Sequence, residues 1–160
     1  MAATRARYKV LLLTFAAAFL TYVSRTSMGA AKPEIMARLR LDKTTMAWST
    51  SAFSWGYALF QVPGGWLGDR YGPRAVLAAA LAAFSVFTAA GGAAGGARSL
   101  AAARFFVGVG QAVAWPTTSR SLVRWLPLAR RPFGQGVQRA GGRFGAAVTP
   151  GIVEIGRAHV

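Results

Sequence analysis

The apolar residues of this chain are gathered into five blocks, about 10–31, 46–67, 75–94, 100–122 and 134–153. Each is close to the roughly 20 residues a helix needs to cross the hydrocarbon core of a bilayer. Most charges fall in the short stretches between blocks, and no block shows the single polar stripe of a soluble amphipathic helix. A chain of 160 residues that is 54% hydrophobic and 14% charged fits a soluble domain or a small membrane bundle equally well. The distribution decides: it predicts an all-α membrane protein, a transmembrane helix bundle of about five spans.

A net charge of +15 would suggest a nucleic-acid partner in a soluble protein. Here the basic residues are scattered among apolar segments and form no continuous stripe, so nucleic acid is excluded as a partner and the lipid bilayer takes its place. Lys and Arg between spans set orientation instead. With the N-terminus inside, nine lie inside (Arg5, Arg7, Lys9, Arg70, Arg74, Arg120, Arg124, Arg130, Arg131) and five outside (Lys32, Arg38, Arg40, Lys43, Arg98), which favours a cytoplasmic N-terminus. A cleaved signal peptide is the rival reading of the first block, with Gly29-Ala30-Ala31 as the processing point. A signal core does not normally end in Tyr22-Val23-Ser24-Arg25.

There is no cysteine, hence no disulfide framework and no cysteine-based metal site. No intramembrane acid, base or metal-ligand cluster supports an enzyme, and no cofactor is expected. The last seven residues, Glu154 to Val160, break an apolar run without cap or turn logic and resemble the translation of a sequencing adapter. They are set aside as foreign to the fold, and the single histidine, His159, goes with them.

The first block carries a polar cluster, Thr21, Tyr22, Ser24 and Arg25, and the polar stretch Lys32–Thr45 that follows reads as a solvent loop or short amphipathic helix. The second block is rich in aromatics, with Trp48 and Trp66 near its ends, where such rings favour the membrane interface. Small residues dominate the third. A glycine-rich turn, Gly91 to Arg98, leads into the fourth, which Arg104, Gln111 and Pro116 interrupt, and the fifth contains Arg139 and Arg143.

The most specific motif is the loop after the second span, Gly65-Trp66-Leu67-Gly68-Asp69-Arg70-Tyr71-Gly72-Pro73-Arg74. A tight reversal needs glycine where backbone turns or approaches closely, here Gly65, Gly68 and Gly72. Gly64 and Gly68 also form a small-xxx-small pair for close helix packing. Asp69 is suited to accept hydrogen bonds from helix N-termini and basic groups, and so to hold one end of a bundle shut.

This loop resembles the G-x-L-[AG]-D-R-x-G-x-[RK] hairpin of the major facilitator superfamily, and Arg104-Phe105-Phe106-Val107-Gly108-Val109-Gly110 is similar to the R-F-x-x-G-x-G of its fourth helix. The resemblance implies the N-terminal bundle of a two-bundle carrier, about five of twelve expected helices, in a bacterial inner (plasma) membrane. It implies alternating access, with a C-terminal bundle of the same protein still to come and with Gly65, Gly68, Asp69, Arg70, Gly72 and Arg74 as the cytoplasmic gate. A small non-transporting membrane adaptor is the structural alternative.

Positions 104, 108, 111 and 115 share one helical face, which groups Arg104, Gly108, Gln111 and Trp115. Arg25 likewise shares a face with Tyr22, and Gln61 with Tyr57. An arginine at the centre of a span costs about 2.5–3.5 kcal/mol on insertion scales unless it meets a cavity or partner, so Arg25, Arg104 and Arg143 are site candidates. Outside the tail the only acids are Glu34, Asp42 and Asp69, all between spans. Guanidinium groups in such a setting attract anions and bind carboxylate or phosphate through a planar fork. The expected substrate-binding set is Tyr22, Arg25, Tyr57, Gln61, Arg104 and Gln111.

Within the superfamily, Thr21 to Arg25, the run Ser51 to Gly65 and Arg124-Trp125-Leu126-Pro127 resemble the anion:cation symporter branch, which implies a sugar acid or other organic acid as substrate. That branch reads N-Y-x-D-R in the first helix and G-x-G-E in the fourth, its carboxyls being regarded as proton-coupling groups. Ser24 and Gln111 stand there instead, and neither exchanges a proton, which leaves the coupling ion, H+ or other, open. Gln111 with Trp115-Pro116 and Arg120 is similar to the organophosphate:phosphate antiporters, the alternative assignment.

Overall fold

The computed structural model describes the backbone of residues 2–158 and the side chains of residues 6–154. It contains five helices and no strand among the described residues: α1 (Ala2–Leu39), α2 (Lys43–Tyr71), α3 (Pro73–Gly92), α4 (Ala97–Trp125) and α5 (Arg131–Ala158), with a short 3-10 turn, Leu128–Arg130, before the last. Every predicted span falls on one helix, although the third stops at Gly92, two residues short of the predicted end. His159 lies outside the described residues. The backbone of α5 continues without a break from Val153 to Ala158.

Of the two readings of the stretch from Lys32, loop or helix, the structure shows helix as far as Leu39. The helix runs on through Pro33 to Leu39, and polar side chains do not end it because a helix leaving the apolar zone still satisfies its own backbone. Geometry ends it at Arg40, whose φ of 49° puts a non-glycine residue in the left-handed region. The Leu41 amide then donates back to the Met36 carbonyl at 2.9 Å, satisfying one of the orphan acceptors of the last turn. The helix α4 is continuous through Pro116, as α2 and α5 are through Pro63 and Pro150.

Asp42 opens α2. Its carboxylate accepts from the Thr44 amide at 3.1 Å and the Thr45 amide at 3.3 Å. The Thr45 side chain, followed by these amides, holds the carboxyl below the ordinary aspartate range. A depressed value means that the cap's contribution is present above the unfolded pKa and disappears as pH falls through the folded one. Hydrogen exchange at Thr44 and Thr45, corrected for intrinsic rate, should accelerate on acidification through that range. Asp42→Ala should show the fast exchange at neutral pH, whereas Asp42→Asn should keep protection there and lose the acid dependence; an acid dependence that survives in the Asn variant would rule out Asp42 as the titrating cap.

The chain divides into two compact units, at residues 31/32 within α1 and 117/118 within α4. The unit of residues 32–117 holds α2, α3 and the first part of α4. Here α2 and α4 meet backbone to backbone. A Cβ on Gly108 would overlap the Phe53 carbonyl and stand 2.9 Å from the Tyr57 nitrogen, and one on Gly56 would overlap the Phe105 carbonyl and stand 3.3 Å from the Val109 nitrogen. The reciprocal glycines let the two helices approach as small residues do in membrane bundles, where packing rather than water exclusion drives association.

The other unit, residues 1–31 and 118–160, packs α5 on α1 by the same device. Gly141 and Gly145 lie under the carbonyls of Phe15 and Phe19, and the Phe19 and Phe144 rings are 6.1 Å apart. Buried Gln138 donates from Nε2 to Thr118 Oγ1 at 2.5 Å, tying α5 to the end of α4.

Within each unit many buried positions are small or polar, beside apolar ones such as Leu100 and Leu122, while many large apolar side chains point outward. Thr14, Thr21, Ser49, Arg104, Gln111, Thr118, Gln138 and Thr149 are buried, whereas Leu12 is 68%, Trp48 70% and Val62 82% exposed. Water would penalise that distribution and hydrocarbon favours it. Among the described residues, α1 and α3 are long and apolar enough to cross a membrane by composition alone. Helices α2, α4 and α5 have the length but are diluted by glycine, hydroxyl, amide and arginine residues.

Candidate functional site

Arg104 is the most deeply placed charge among the described residues, 7% exposed in the first half of α4. Its Cζ lies 5.3 Å from the centroid of the Phe53 ring, which stacks in turn on Tyr57 at 6.0 Å and 22°. Phe53 and Tyr57 are one turn apart on α2, and Gly108, one turn beyond Arg104, brings that part of α2 against α4. The glycine contact therefore sets the height at which the guanidinium meets the ring. A cation over an aromatic face gains about 0.5–2 kcal/mol, which offsets part of the cost of placing charge in a span.

Gln111 is 1% exposed on the same face of α4, and Trp115 is half-buried. Tyr57 is half-buried on α2, and Gln61, one turn further along, is exposed. Four of the six predicted binding residues thus lie in the unit of residues 32–117, and Arg104 and Tyr57 are linked through Phe53.

Tyr22 and Arg25 lie in the other unit, where they form a local pair with Arg25 Cζ 5.9 Å from the Tyr22 ring centroid. The ring is seated against Gly142 of α5, where a Cβ would come within 2.7 Å of Tyr22 Cδ2. Both side chains are half-buried, and the neighbouring Ser24 Oγ is a buried atom that makes no hydrogen bond. Arg143, a further candidate from the sequence, is exposed.

The predicted gate residues are together at the α2–α3 hairpin. Gly72 has φ 84° and both ends α2 and precedes Pro73, the first residue of α3, so the reversal depends on a conformation that a side chain would strain. Gly68 is buried, its Cβ position 3.1 Å from Thr117 Oγ1, and Gly65 is buried beside it. Asp69 and Arg74 are exposed. Arg70 lies over two aromatic rings, 5.4 Å from Trp66 and 5.9 Å from Tyr71.

Phe53, Gly142 and the Gln138–Thr118 pair are absent from the set read from the sequence. Phe53 had a signal, since it precedes Tyr57 by four residues, but an apolar ring in an aromatic-rich span does not announce a cation partner. Gln138 had one too, as a buried-type amide inside an apolar block, where the adjacent Arg139 draws attention first.

A family model described as Major Facilitator Superfamily matches residues 14–155. The chain belongs to that family. Its members are transporters and not enzymes, and they are integral membrane proteins with several spans. Among relatives, the chain is 36% identical to the probable sulfoacetate transporter SauU of Cupriavidus necator over 84% of this chain and 31% of that protein. It is 35% identical to a D-galactonate transporter of Escherichia coli, over 94% of this chain and 35% of the relative. With a hexuronate transporter of Bacillus subtilis the identity is 34%, over 90% of this chain and 34% of the relative. The chain thus spans about a third of the length of these relatives.

In structure it is similar to a bacterial homolog of the human lysosomal transporter Spinster, crystallised in an inward-facing and unoccupied conformation. The TM-score is 0.82 at 22% identity, covering 89% of this chain and 30% of that one. That likeness establishes the all-α major facilitator fold expected from the two sequence motifs.

Proposed function

We propose that the chain is the N-terminal part of a secondary transporter that moves a small organic anion, a sugar acid or other carboxylate, by alternating access. The observation that carries this reading is Arg104, a guanidinium buried within a membrane helix and held over Phe53. Arginine matches a carboxylate bidentately, and relatives at similar identity are sulfoacetate, galactonate and hexuronate transporters. Arg25 with Tyr22, and Tyr57, Gln61 and Gln111 alongside Arg104, are the proposed substrate ligands. The hairpin from Gly65 to Arg74 is the proposed cytoplasmic gate, in a bacterial inner membrane with the N-terminus inside. The partner bundle and the coupling ion belong to the full-length protein.

The test is uptake by the full-length protein in proteoliposomes. D-Galactonate and D-glucarate are expected to be transported and to compete with each other, while glucose 6-phosphate and glycerol 3-phosphate compete poorly. Competition by the phosphate esters alone would select the organophosphate:phosphate antiporter instead, which Gln111 and the Trp115-Pro116 step support. If Arg25→Ala and Arg104→Ala both leave uptake unchanged, the assignment of the binding residues fails.

A further inference from the structure

The unit of residues 32–117 contains an apolar groove of about 520 Å³ between α2, α3 and α4. Leu67 and Tyr71 of α2 line its end at the hairpin, small residues of α3 such as Ala75, Ala79 and Ala83 form one wall, and Val109 and Val113 of α4 form the other. At the far end the rings of Phe87 and Phe106 stack at 4.6 Å and 18°. None of the predicted substrate ligands lines it, so the groove is separate from the residues assigned to anion binding.

We propose that this groove holds one acyl chain of an anionic phospholipid whose phosphate is met by Arg70 and Arg74. Length is the first reason. From Ala75 to Phe87 is twelve helical steps, about 18 Å at 1.5 Å per residue. One leaflet is about half of the ~30 Å hydrocarbon core, so the groove lining reaches from the hairpin to about the bilayer midplane, where the Phe87 and Phe106 rings stack.

Charge is the second reason, and it selects the headgroup. The hairpin carries Arg70 and Arg74 against the single carboxylate of Asp69. The Arg70 guanidinium lies over the ring of Tyr71, which itself lines the groove, so a cation is held within 5.9 Å of the groove wall. Trp66, the other ring under Arg70, is 57% exposed, as suits an aromatic at headgroup level. An apolar slot of leaflet length with a basic mouth fits a lipid with a negatively charged head. A neutral detergent-like chain would use only half of these features.

The experiment uses the full-length protein in phosphatidylcholine vesicles containing a trace of either phosphatidylglycerol or phosphatidylcholine with a diazirine on the acyl chain. After illumination, labelling is mapped by peptide mass spectrometry. Label should concentrate on residues 75–87 and 106–113 and be at least about fivefold higher for phosphatidylglycerol, the ratio that one basic residue near a membrane surface supplies. The double variant Arg70→Gln/Arg74→Gln should bring phosphatidylglycerol down to the phosphatidylcholine level, and Ala83→Trp should reduce both.

Three results would overturn the proposal. Equal labelling by the two lipids would mean that no headgroup is recognised. Label outside the groove would mean that the site is elsewhere. Cross-linking of an Ala83→Cys variant to a later helix of the same chain would mean that protein fills the groove. Arg70 and Arg74 are exposed side chains of the hairpin that also forms the proposed gate, and labelling does not require gating, so the headgroup arm remains decisive even if the tryptophan variant fails to fold. None of these readouts depends on transport.

Discussion

Gly108→Leu is expected to abolish the stable fold of the full-length protein. At this position the Cβ alone overlaps the Phe53 carbonyl, and the atoms it meets are main-chain atoms of α2 that no rotamer change can move. Overpacking by a flexible side chain costs typically about 1–3 kcal/mol. A backbone collision must instead push α2 and α4 apart along their contact, which also separates Gly56 from the Phe105 carbonyl and draws Phe53 away from Arg104. The loss should therefore exceed the upper end of that range, and even Gly108→Ala should destabilise.

The sign is informative, because in an unobstructed helix interior Gly→Ala stabilises by up to about 1 kcal/mol. Gly136 in α5 provides that control, since a Cβ there meets nothing within 4 Å. Thermal unfolding in detergent, followed by size-exclusion profile, should give a raised or unchanged midpoint for Gly136→Ala, a lowered one for Gly108→Ala, and no monodisperse peak for Gly108→Leu. A Gly108→Leu protein that elutes and unfolds like the wild type would show that close approach of α2 and α4 is not what organises this unit.

Glycines at helix contacts mark the limit of what the sequence discloses. Five helices were legible because hydrocarbon thickness imposes a block length and loops collect charge, and Gly72 was legible because a reversal in so few residues demands a positive φ. Gly64 and Gly68 were legible as a packing motif, but not the surface they pack on. Their partners proved to be Val113 and Thr117, one helical turn apart on α4, and that match depends on the register between two helices joined through a third. Where the helix beyond the first apolar block ends stayed open for a related reason. Lys32 onward reads as polar, yet polarity does not stop a helix; the left-handed Arg40 and the Asp42 cap do.

The candidate site divides in the same way. That Arg25 and Arg104 are out of place in apolar blocks follows from their insertion cost alone, and the Tyr22–Arg25 pair follows from a spacing of three on one helix. That Arg104 rests on Phe53 requires the α2–α4 register, and that Tyr22 rests on Gly142 requires α1 and α5 to be side by side. Local periodicity carries the first kind of information and none of the second.

Arg104 is where stability and activity should respond in opposite directions. If it serves transport, Arg104→Leu removes a charge whose insertion costs about 2.5–3.5 kcal/mol, against which stand the contacts it gives up, the cation–π contact with Phe53 at about 2 kcal/mol among them. The variant should unfold at the same temperature as the wild type or higher. Transport should fall steeply, because a hydrogen-bonded charged contact is worth about 1.5–3 kcal/mol, or roughly 10- to 150-fold, and a bidentate pair lies at the upper end. Arg104→Lys keeps the charge but loses the fork, so it should retain part of the uptake and none of the preference for carboxylates over simple anions. Arg104→Gln keeps donors without charge and should resemble the leucine variant in uptake. Parallel thermal-shift and proteoliposome measurements on the three variants read both quantities. A leucine variant that loses its fold together with its transport would instead make Arg104 a structural brace between α4 and α2, and anion recognition would then have to rest on other residues.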